Sequence, residues 1–344
     1  MILLNSAPRF GAVDSISEIS NVKQWLIFAV KAAVSGALIW WLLARIDTAS
    51  VIEGLGRVSV GPLVLALVTI LFATGLLSLR WTAVNKLLDI PLRLARALRL
   101  TFIGLFFSQT LPSTIGGDFM RVWFVYRDGI PMDRAASSVV LDRLCAFAAL
   151  LMVVGLSLPM LFAIIEDSTP RWSLPLIVVL GICGFVTLFA LGGRLGDIFA
   201  RWKVTRAIVV LARDARRLNA SFASLVQILA MALAIHLLMV LAVWLIGQSI
   251  GAGIALLHCL VFVPPVTLIS LVPVSVAGWG IREGAMIVAF GFVGVPEADS
   301  LVVSVLLGLI LVAAGAPGGL MWLAEGRASR RGFGFKDHSR ESES

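Results

Sequence analysis

The sequence predicts an all-α, polytopic membrane protein with six full crossings and two opposed re-entrant or broken-helix hairpins. Hydrophobic residues make up 59% of the chain and charged residues 14%. A soluble domain has about 45–50% apolar and about 25% charged residues, so the composition excludes the soluble class. A helix that crosses a bilayer needs roughly 20 apolar residues. Long apolar runs cover residues 25–43, 62–79, 136–165, 174–191, 225–250 and 301–323.

These runs define a single transmembrane domain at residues 25–323, with a short segment on either side. Segment 1–24 contains Asp14 and Glu18 and lacks the compact basic-then-apolar block of a signal peptide, so we expect the first run to be retained. The tail, residues 324–344, is basic and rich in glycine and serine, which predicts disorder.

The net charge of +8 is distributed unevenly between alternate loops. Lysine and arginine cluster at residues 80–99, at 194–217 and in the tail, whereas the intervening loops contain few or none. Basic loops of membrane proteins stay in the cytoplasm, so this pattern predicts that both termini are cytoplasmic. We therefore attribute the excess charge to membrane orientation, not to nucleic-acid binding, and expect a multi-pass protein of the inner (plasma) membrane.

A short motif occurs twice, 161 residues apart (273 − 112). Residues 111–122 read LPSTIGGDFMRV and residues 272–283 read VPVSVAGWGIRE. Proline and glycine interrupt both copies as helices. Three predicted crossings separate the copies, and because this number is odd the second copy is inverted relative to the first. The interrupting residues are Pro112, Gly116 and Gly117 in the first copy and Pro273, Gly278 and Gly280 in the second.

Two interpretations of the repeat remain open. Irregular backbone at membrane depth is tolerated only where it is buried in protein or lines a polar cavity. Re-entrant hairpins that enter from opposite faces and meet at a binding site are typical of transporters. The alternative is two ordinary pairs of kinked helices, in which case the repeat records a gene duplication without a shared site.

Ionisable side chains inside the apolar segments are the candidate substrate-binding residues, because burying charge in a membrane is costly. Asp118 and Arg121 are three residues apart and share one face of a helix. Guanidinium groups suit bidentate binding of phosphate, so we predict a site for an anionic lipid headgroup. Internal ion pairs that fix helix register are the other interpretation, and the two are compatible. The predicted residues are Asp118, Arg121, Asp142, Arg143, Arg282 and Glu283, with the hydroxyls of Thr114 and Ser275.

Motifs for other kinds of chemistry are missing from the sequence. Cys145, Cys183 and Cys259 lie far apart in apolar segments and read as small hydrophobic residues. His236 lies in an apolar helix and is expected to be packed and hydrogen-bonded. Hydrolase, ATPase and zinc motifs do not occur, so we predict no catalytic residue, no metal site and no cofactor.

A basic segment at residues 194–222 has apolar residues at near-helical spacing between its arginines. This pattern predicts a cytoplasmic amphipathic helix that lies on anionic headgroups. A merely basic loop is the alternative.

The two motif copies, together with SSVVLDRL at residues 137–144, resemble the lysylphosphatidylglycerol synthase transmembrane family, which is also called flippase-like. That family's pattern is P-x-x-x-G-G-D-x-x-R, then a D-R pair in the next helix, then P-x-S-x-x-G-x-G-x-R-E. The resemblance covers nearly the whole hydrophobic chain. Ala277 stands where the family often has glycine and Trp279 where it often has a small residue, and both are expected to narrow the second hairpin.

The resemblance implies the lipid-translocating half of this family, without the soluble aminoacyl-transferase domain of its bifunctional members. We therefore expect a non-enzymatic protein that flips an anionic or a polyprenyl- or hopanoid-type lipid between leaflets. A membrane-embedded transferase with Asp118 or Glu283 as acid or base is an alternative, and so is a subunit that assists a lipid-modifying enzyme. Expected partners are membrane lipids and a separately encoded lipid-synthesising enzyme.

Overall fold

The computed structural model describes residues 48–110, 116–165, 175–184, 222–271 and 279–333, together with the single residues Thr187 and Asp214. All regular structure within these residues is helical. In chain order the helices are α1 Thr48–Gly56, α2 Val60–Leu87, α3 Leu94–Thr110, α4 Gly116–Arg127, α5 Met132–Ile164, α6 Pro175–Gly184, α7 Phe222–Ser249, α8 Leu256–Ser270, α9 Ile281–Gly291 and α10 Glu297–Phe333.

Four of these helices, α2, α5, α7 and α10, are long and apolar enough to cross a membrane. The protein is therefore a multi-pass membrane protein, as its composition predicts. The predicted crossing at residues 25–43 lies outside the described residues, and the one at 174–191 is described only in part, as α6. The number of six crossings stays a prediction.

Two pairs of shorter helices flank the repeated motif. Helices α3 and α4 have 17 and 12 residues and pack on each other, and α8 and α9 have 15 and 11 residues and do the same. At 1.5 Å per residue these helices are about 16–26 Å long, less than the roughly 30 Å of a hydrocarbon core. The centres of the motif, residues 111–115 and 272–278, lie outside the described residues.

The ends of the helices form two groups with different charge. At one end of the bundle, Ser59 donates its backbone N–H to the Ser249 carbonyl at 2.7 Å, and Arg57 pairs with Asp299 at 3.0 Å. At the other end, Arg96 pairs with Glu325 at 2.5 Å, so the start of α3 meets the late part of α10. Arg99 and Arg127 also pair with Glu325, so these described arginines gather at the second end, which agrees with the segregation of charge in the sequence.

Close packing between these helices depends on glycine. A Cβ atom at Gly117 would collide with the Gly104 carbonyl and the Ser108 hydroxyl, so the second glycine of the motif brings α4 onto α3. A Cβ atom at Gly318 would collide with the backbone of Phe102, which shows the same arrangement between α10 and α3. Lipid provides no hydrophobic drive for helix association, and small residues allow close van der Waals contact instead.

One basic residue lies elsewhere than the sequence suggests. We assign Arg80 from the sequence to the cytoplasmic loop 80–99, but α2 continues to Leu87 and Arg80 is 1% exposed in its interior. The helix continues because Trp81 and Val84 on the following turn are apolar and fully buried, and because Asp142 neutralises the arginine. The basic loop therefore begins later than predicted.

Two other predicted segments fall largely outside the described residues. Of the amphipathic segment 194–222, only Asp214 and Phe222 are described. Asp214 accepts a hydrogen bond from the Ser137 hydroxyl of α5 at 2.6 Å. Residues 1–24 are not described, and the described part of α10 covers the tail only as far as Phe333.

Candidate functional site

An ion pair between α2 and α5 forms the base of the candidate site. Arg80 donates its Nε–H to Asp142 Oδ1 at 2.9 Å, and the side chains are 1% and 0% exposed. Breaking a buried pair of this kind by removing one partner typically costs about 3–5 kcal/mol, because the other charge is left uncompensated. Asp142 is thus held in position beside α4.

Arg121 of α4 extends this pair into a network. Its Nη2 lies 3.1 Å from Asp142 Oδ2, its Nη1 lies 3.3 Å from Asp118 Oδ1, and the guanidinium stacks 4.0 Å above the Trp81 ring. Cation–π contacts of this kind are worth about 2 kcal/mol or more when they are desolvated. Arg121 is 2% exposed, and its Nε finds no acceptor among the described residues.

A chain of neutral hydrogen bonds fixes the Trp81 ring under Arg121. The indole N–H donates to the Ser138 hydroxyl at 2.9 Å, and that hydroxyl donates to Asn85 Oδ1 at 2.8 Å. Asn85 in turn donates its side-chain N–H to the Trp81 carbonyl at 2.7 Å. All three side chains are buried, so each polar group needs such a partner. These hydrogen bonds therefore hold the Trp81 ring in a fixed position against the Arg121 guanidinium.

Arg143 occupies the outer edge of the same network. It binds Asp118 through both arms of its guanidinium, with Nε at 2.7 Å from Oδ2 and Nη2 at 2.8 Å from Oδ1. The Arg143 side chain is 47% exposed, whereas that of Asp118 is 19% exposed. The three positive charges of this network, on Arg80, Arg121 and Arg143, face only two carboxylates, those of Asp118 and Asp142. Within the described residues this five-residue set, here called the first cluster, carries one uncompensated positive charge.

A cavity of about 660 Å³ adjoins the first cluster. Its lining is almost entirely apolar, apart from Asp118, Arg143, His236 and Thr267. Several apolar residues of the lining are exposed, including Phe119 at 59%, so the cavity opens at the side of the bundle. His236 is hydrogen-bonded to the Ala146 carbonyl at 2.9 Å, as its isolated position in an apolar helix predicts. The apolar lining comes from α4, α5 and the residue that follows α8, and includes Val122, Trp123, Val140, Phe147, Leu150 and Leu271.

The second copy of the motif forms a smaller cluster at the start of α9. Arg282 binds Glu283 Oε1 through Nη2 at 2.7 Å and donates its Nε–H to the Ser304 hydroxyl at 3.1 Å. Glu283 accepts the Gly280 backbone N–H at 2.5 Å, which caps the helix, and Gly280 has a φ of +90° that favours glycine. Trp279 lies 5.0 Å from the guanidinium. This second cluster (Arg282, Glu283 and Ser304) has no net charge.

A cavity of about 180 Å³ contains Arg282 and borders the larger one. Thr267 and Leu271, near the end of α8, line both cavities. A third cavity, of about 470 Å³, lies between the end of α5 and helices α8 and α9, and its lining is apolar. Val266 lines this cavity and the small one. The end of α8 therefore separates three neighbouring cavities.

The arrangement of two motif copies around the end of α8 can be compared with known families. Residues 28–318 match the family described as the lysylphosphatidylglycerol synthase TM region. The chain belongs to this family. The resemblance of the motif and of the D-R pair is thereby confirmed. No curated protein sequence matches the chain.

The structure places the predicted residues of this family's motif in two separate groups. Four of them, Asp118, Arg121, Asp142 and Arg143, lie in the first cluster, and Arg282 and Glu283 lie in the second. Each charged side chain in these groups has an ion-pair partner within its group, as the ion-pair interpretation expects, although three arginines of the first cluster share two carboxylates. Gly116 and Gly117 are buried at the start of α4. The remaining predicted residues lie outside the described residues: Pro112, Thr114, Pro273, Ser275 and Gly278.

Two important members of these clusters are not evident from the sequence pattern. Arg80 stands where a cytoplasmic loop is predicted, and Ser304 is one of several small residues in an apolar helix. A signal for Arg80 exists, because apolar residues continue beyond it and one helix can enclose it. Nothing in the sequence distinguishes Ser304 from the other serines of α10. Its role follows from its position opposite Glu283, to whose Oε1 the Ser304 hydroxyl donates a hydrogen bond of 3.1 Å.

Metal-ligating residues do not gather in the part of the chain that the structure describes. No group of three or more histidine, cysteine, aspartate or glutamate side chains is placed to hold a metal ion there. Cys145 and Cys259 are buried and Cys183 is exposed on α6. The first cluster presents guanidinium groups, which bind anions, and carboxylates, which bind cations.

Proposed function

We propose that this protein moves a lipid with a phosphate headgroup between the leaflets of the membrane and does not change it chemically. The observation that carries the proposal is the uncompensated positive charge of the first cluster, at the edge of an apolar cavity that opens sideways. A phosphate balances this charge, and acyl or isoprenoid chains fit an apolar lining. Membership of a family with a lipid-related membrane domain supports the same conclusion.

Arg143 is the residue that meets the headgroup in this proposal. It is the exposed arginine of the first cluster, and it borders the cavity. Its planar fork matches two phosphate oxygens, whereas a lysine would present a single point charge. Arg121 is 2% exposed and instead supports the site from below. Of the two arginines from the repeated motif, neither reaches the large cavity in this conformation.

The cavities suggest how a lipid would pass between leaflets. The 660 Å³ cavity is lined by the first half of α5, near the arginine-rich end of the bundle, whereas the 470 Å³ cavity includes Leu161 and Ile165 at the other end of that helix. The short pairs α3/α4 and α8/α9 act as re-entrant hairpins of inverted topology in this proposal. Such broken hairpins surround the substrate site in transporters that alternate between the two faces.

The orientation that we propose has the arginine-rich end in the cytoplasm, following the distribution of charge. The large cavity then faces the cytoplasmic leaflet of the plasma membrane, and the 470 Å³ cavity faces the outer leaflet. Both termini would be cytoplasmic. A lipid made on the cytoplasmic side would enter between α4 and α5 with its phosphate at Arg143.

A reconstituted assay tests the proposal. Protein in liposomes with fluorescent phosphatidylglycerol should accelerate movement of the label to the outer leaflet, measured by dithionite quenching. Replacing Arg143 with Gln should reduce the rate at least about tenfold, which corresponds to the loss of one charge-assisted interaction of about 1.4 kcal/mol. Arg57→Gln breaks an ion pair at the opposite end of the bundle and serves as the matched control. Wild-type protein that is no faster than empty liposomes would contradict the proposal.

The same liposomes distinguish transport from catalysis. The masses of lipids extracted after the assay, measured by mass spectrometry, should be unchanged. A covalently altered lipid, made only when the protein is present, would instead support the transferase alternative with Asp118 or Glu283 as an acid or base.

A further inference from the structure

We infer that Asp118 takes the place of the lipid phosphate in the empty site. Its carboxylate pairs with Arg143 while no lipid is bound, and pairs with Arg121 instead when a lipid binds. This inference rests on the proposed function and assigns to Asp118 the control of access to the headgroup site. A headgroup would bind only if its affinity for Arg143 exceeds that of the Asp118 carboxylate.

The geometry of the Asp118–Arg143 pair is that of a ligand complex. Two nearly parallel contacts of 2.7 and 2.8 Å join the guanidinium to the two carboxylate oxygens. Phosphate presents two oxygens to a guanidinium in the same way. Since both residues line the 660 Å³ cavity, a headgroup that enters it reaches Arg143 from the cavity side and competes with Asp118 for the same hydrogen-bond donors.

A second partner for Asp118 is already in place. Arg121 is one helical turn further along α4, and its Nη1 lies 3.3 Å from Asp118 Oδ1, which is longer than either contact with Arg143. The buried Nε of Arg121 has no acceptor among the described residues. Asp118 can therefore keep an ion-pair partner in Arg121 when a phosphate takes its place at Arg143.

The balance of charge favours this exchange when a phosphate arrives. In the empty site, two carboxylates neutralise three arginines only in part. After the exchange, Asp142 pairs with Arg80, Asp118 pairs with Arg121, and the phosphate pairs with Arg143. Every guanidinium then has its own anion, and no carboxylate is left alone in the low-dielectric interior, where an unpaired charge is costly. A neutral headgroup cannot complete this set, since it would leave Arg143 without a counter-charge.

Asp118→Asn tests the inference, because it removes the competing charge and keeps the shape of the side chain. Purified protein in detergent is titrated with dioleoyl phosphatidylglycerol, and the dissociation constant is compared with that of wild type. If Arg143 is free about a tenth of the time in the empty wild-type site, the variant should bind about tenfold more tightly. The gain should vanish in the Arg143→Gln background. Asp299→Asn, the same change in an ion pair remote from the cavity, should leave binding unchanged.

The outcomes separate this inference from the proposed function. Failure of the proposed function shows as wild-type binding or translocation that does not depend on Arg143. If that dependence holds and Asp118→Asn binds no more tightly than wild type, then Asp118 only orients Arg143 and the inference is wrong.

A second measurement uses the wild-type protein, in case the Asn variant is too unstable to purify. Nuclear magnetic resonance of ¹⁵N-labelled arginine follows the Nε–H signals of Arg121 and Arg143, assigned with the corresponding Lys variants. Addition of dioleoyl phosphatidylglycerol should shift both signals together, because the Asp118 carboxylate leaves Arg143 and pairs with Arg121. A shift confined to Arg143 would overturn the inference.

Discussion

The two copies of the repeated motif differ in the source of the carboxylate that pairs with their arginine. In the first copy, Arg121 meets Asp142 from α5 and lies over Trp81 from α2, and the cluster keeps one excess positive charge. In the second copy, Arg282 finds its carboxylate next to it in the chain, at Glu283, and the cluster is neutral. The comparison teaches that a duplicated motif does not dictate a duplicated site. The second copy contains its own carboxylate, Glu283, where the first copy has Val122, whereas Arg121 of the first copy obtains Asp142 from a neighbouring helix.

The largest difference between the clusters should appear in stability. Asp142→Asn leaves Arg80 and Arg121 without their shared buried carboxylate and should lower the free energy of unfolding by about 3–5 kcal/mol. Glu283→Gln leaves one buried arginine, not two, without its carboxylate and retains an acceptor for the Gly280 N–H, so its cost should be at the lower end of that range, about 3 kcal/mol. Thermal unfolding in one detergent measures both. Equal losses would show that the two clusters contribute alike.

A smaller difference should appear in the packing of the two hairpins. Gly117→Ala places a methyl group against the Gly104 carbonyl, where the backbone cannot give way easily, and should cost about 1–3 kcal/mol. Gly284→Ala in α9 meets no atom within 4 Å and should be neutral or stabilising by up to about 1 kcal/mol, because alanine favours a helix. Melting temperatures of both variants check this contrast. A stable Gly117→Ala protein would mean that α3 and α4 are less closely packed than the structure has them.

The opposite orientation of the hairpins can be tested without any expected change in stability. In a variant without native cysteines, single cysteines replace the exposed residues Arg93, before α3, and Glu297, at the start of α10. In intact cells, a membrane-impermeant maleimide should label position 297 and not position 93, which should react only with a permeant reagent. Labelling of both positions from outside would contradict the proposed topology.

Much of the site could be predicted from the sequence because charge is so rare in its apolar segments. Asp118, Arg121, Asp142 and Arg143 were identified for this reason, and the structure brings all four into contact. Arg80 was missed because it ends an apolar run, where an arginine normally marks the membrane surface. Hydropathy cannot show that a carboxylate 62 residues later neutralises it inside the helix bundle.

The sequence by itself determined the class of the protein, its long apolar helices, the short helices on either side of the repeated motif and the charged residues within its apolar segments. These follow from local properties: hydropathy, the breaking of helices by proline and glycine, and the cost of charge in lipid. Only the tertiary structure decided which arginine reaches the cavity. Arg121 and Arg143 are equally basic, but α2 covers Arg121 with Trp81 while Arg143 remains half exposed. Exposure depends on which helices pack together, and that is set by contacts between residues far apart in the chain.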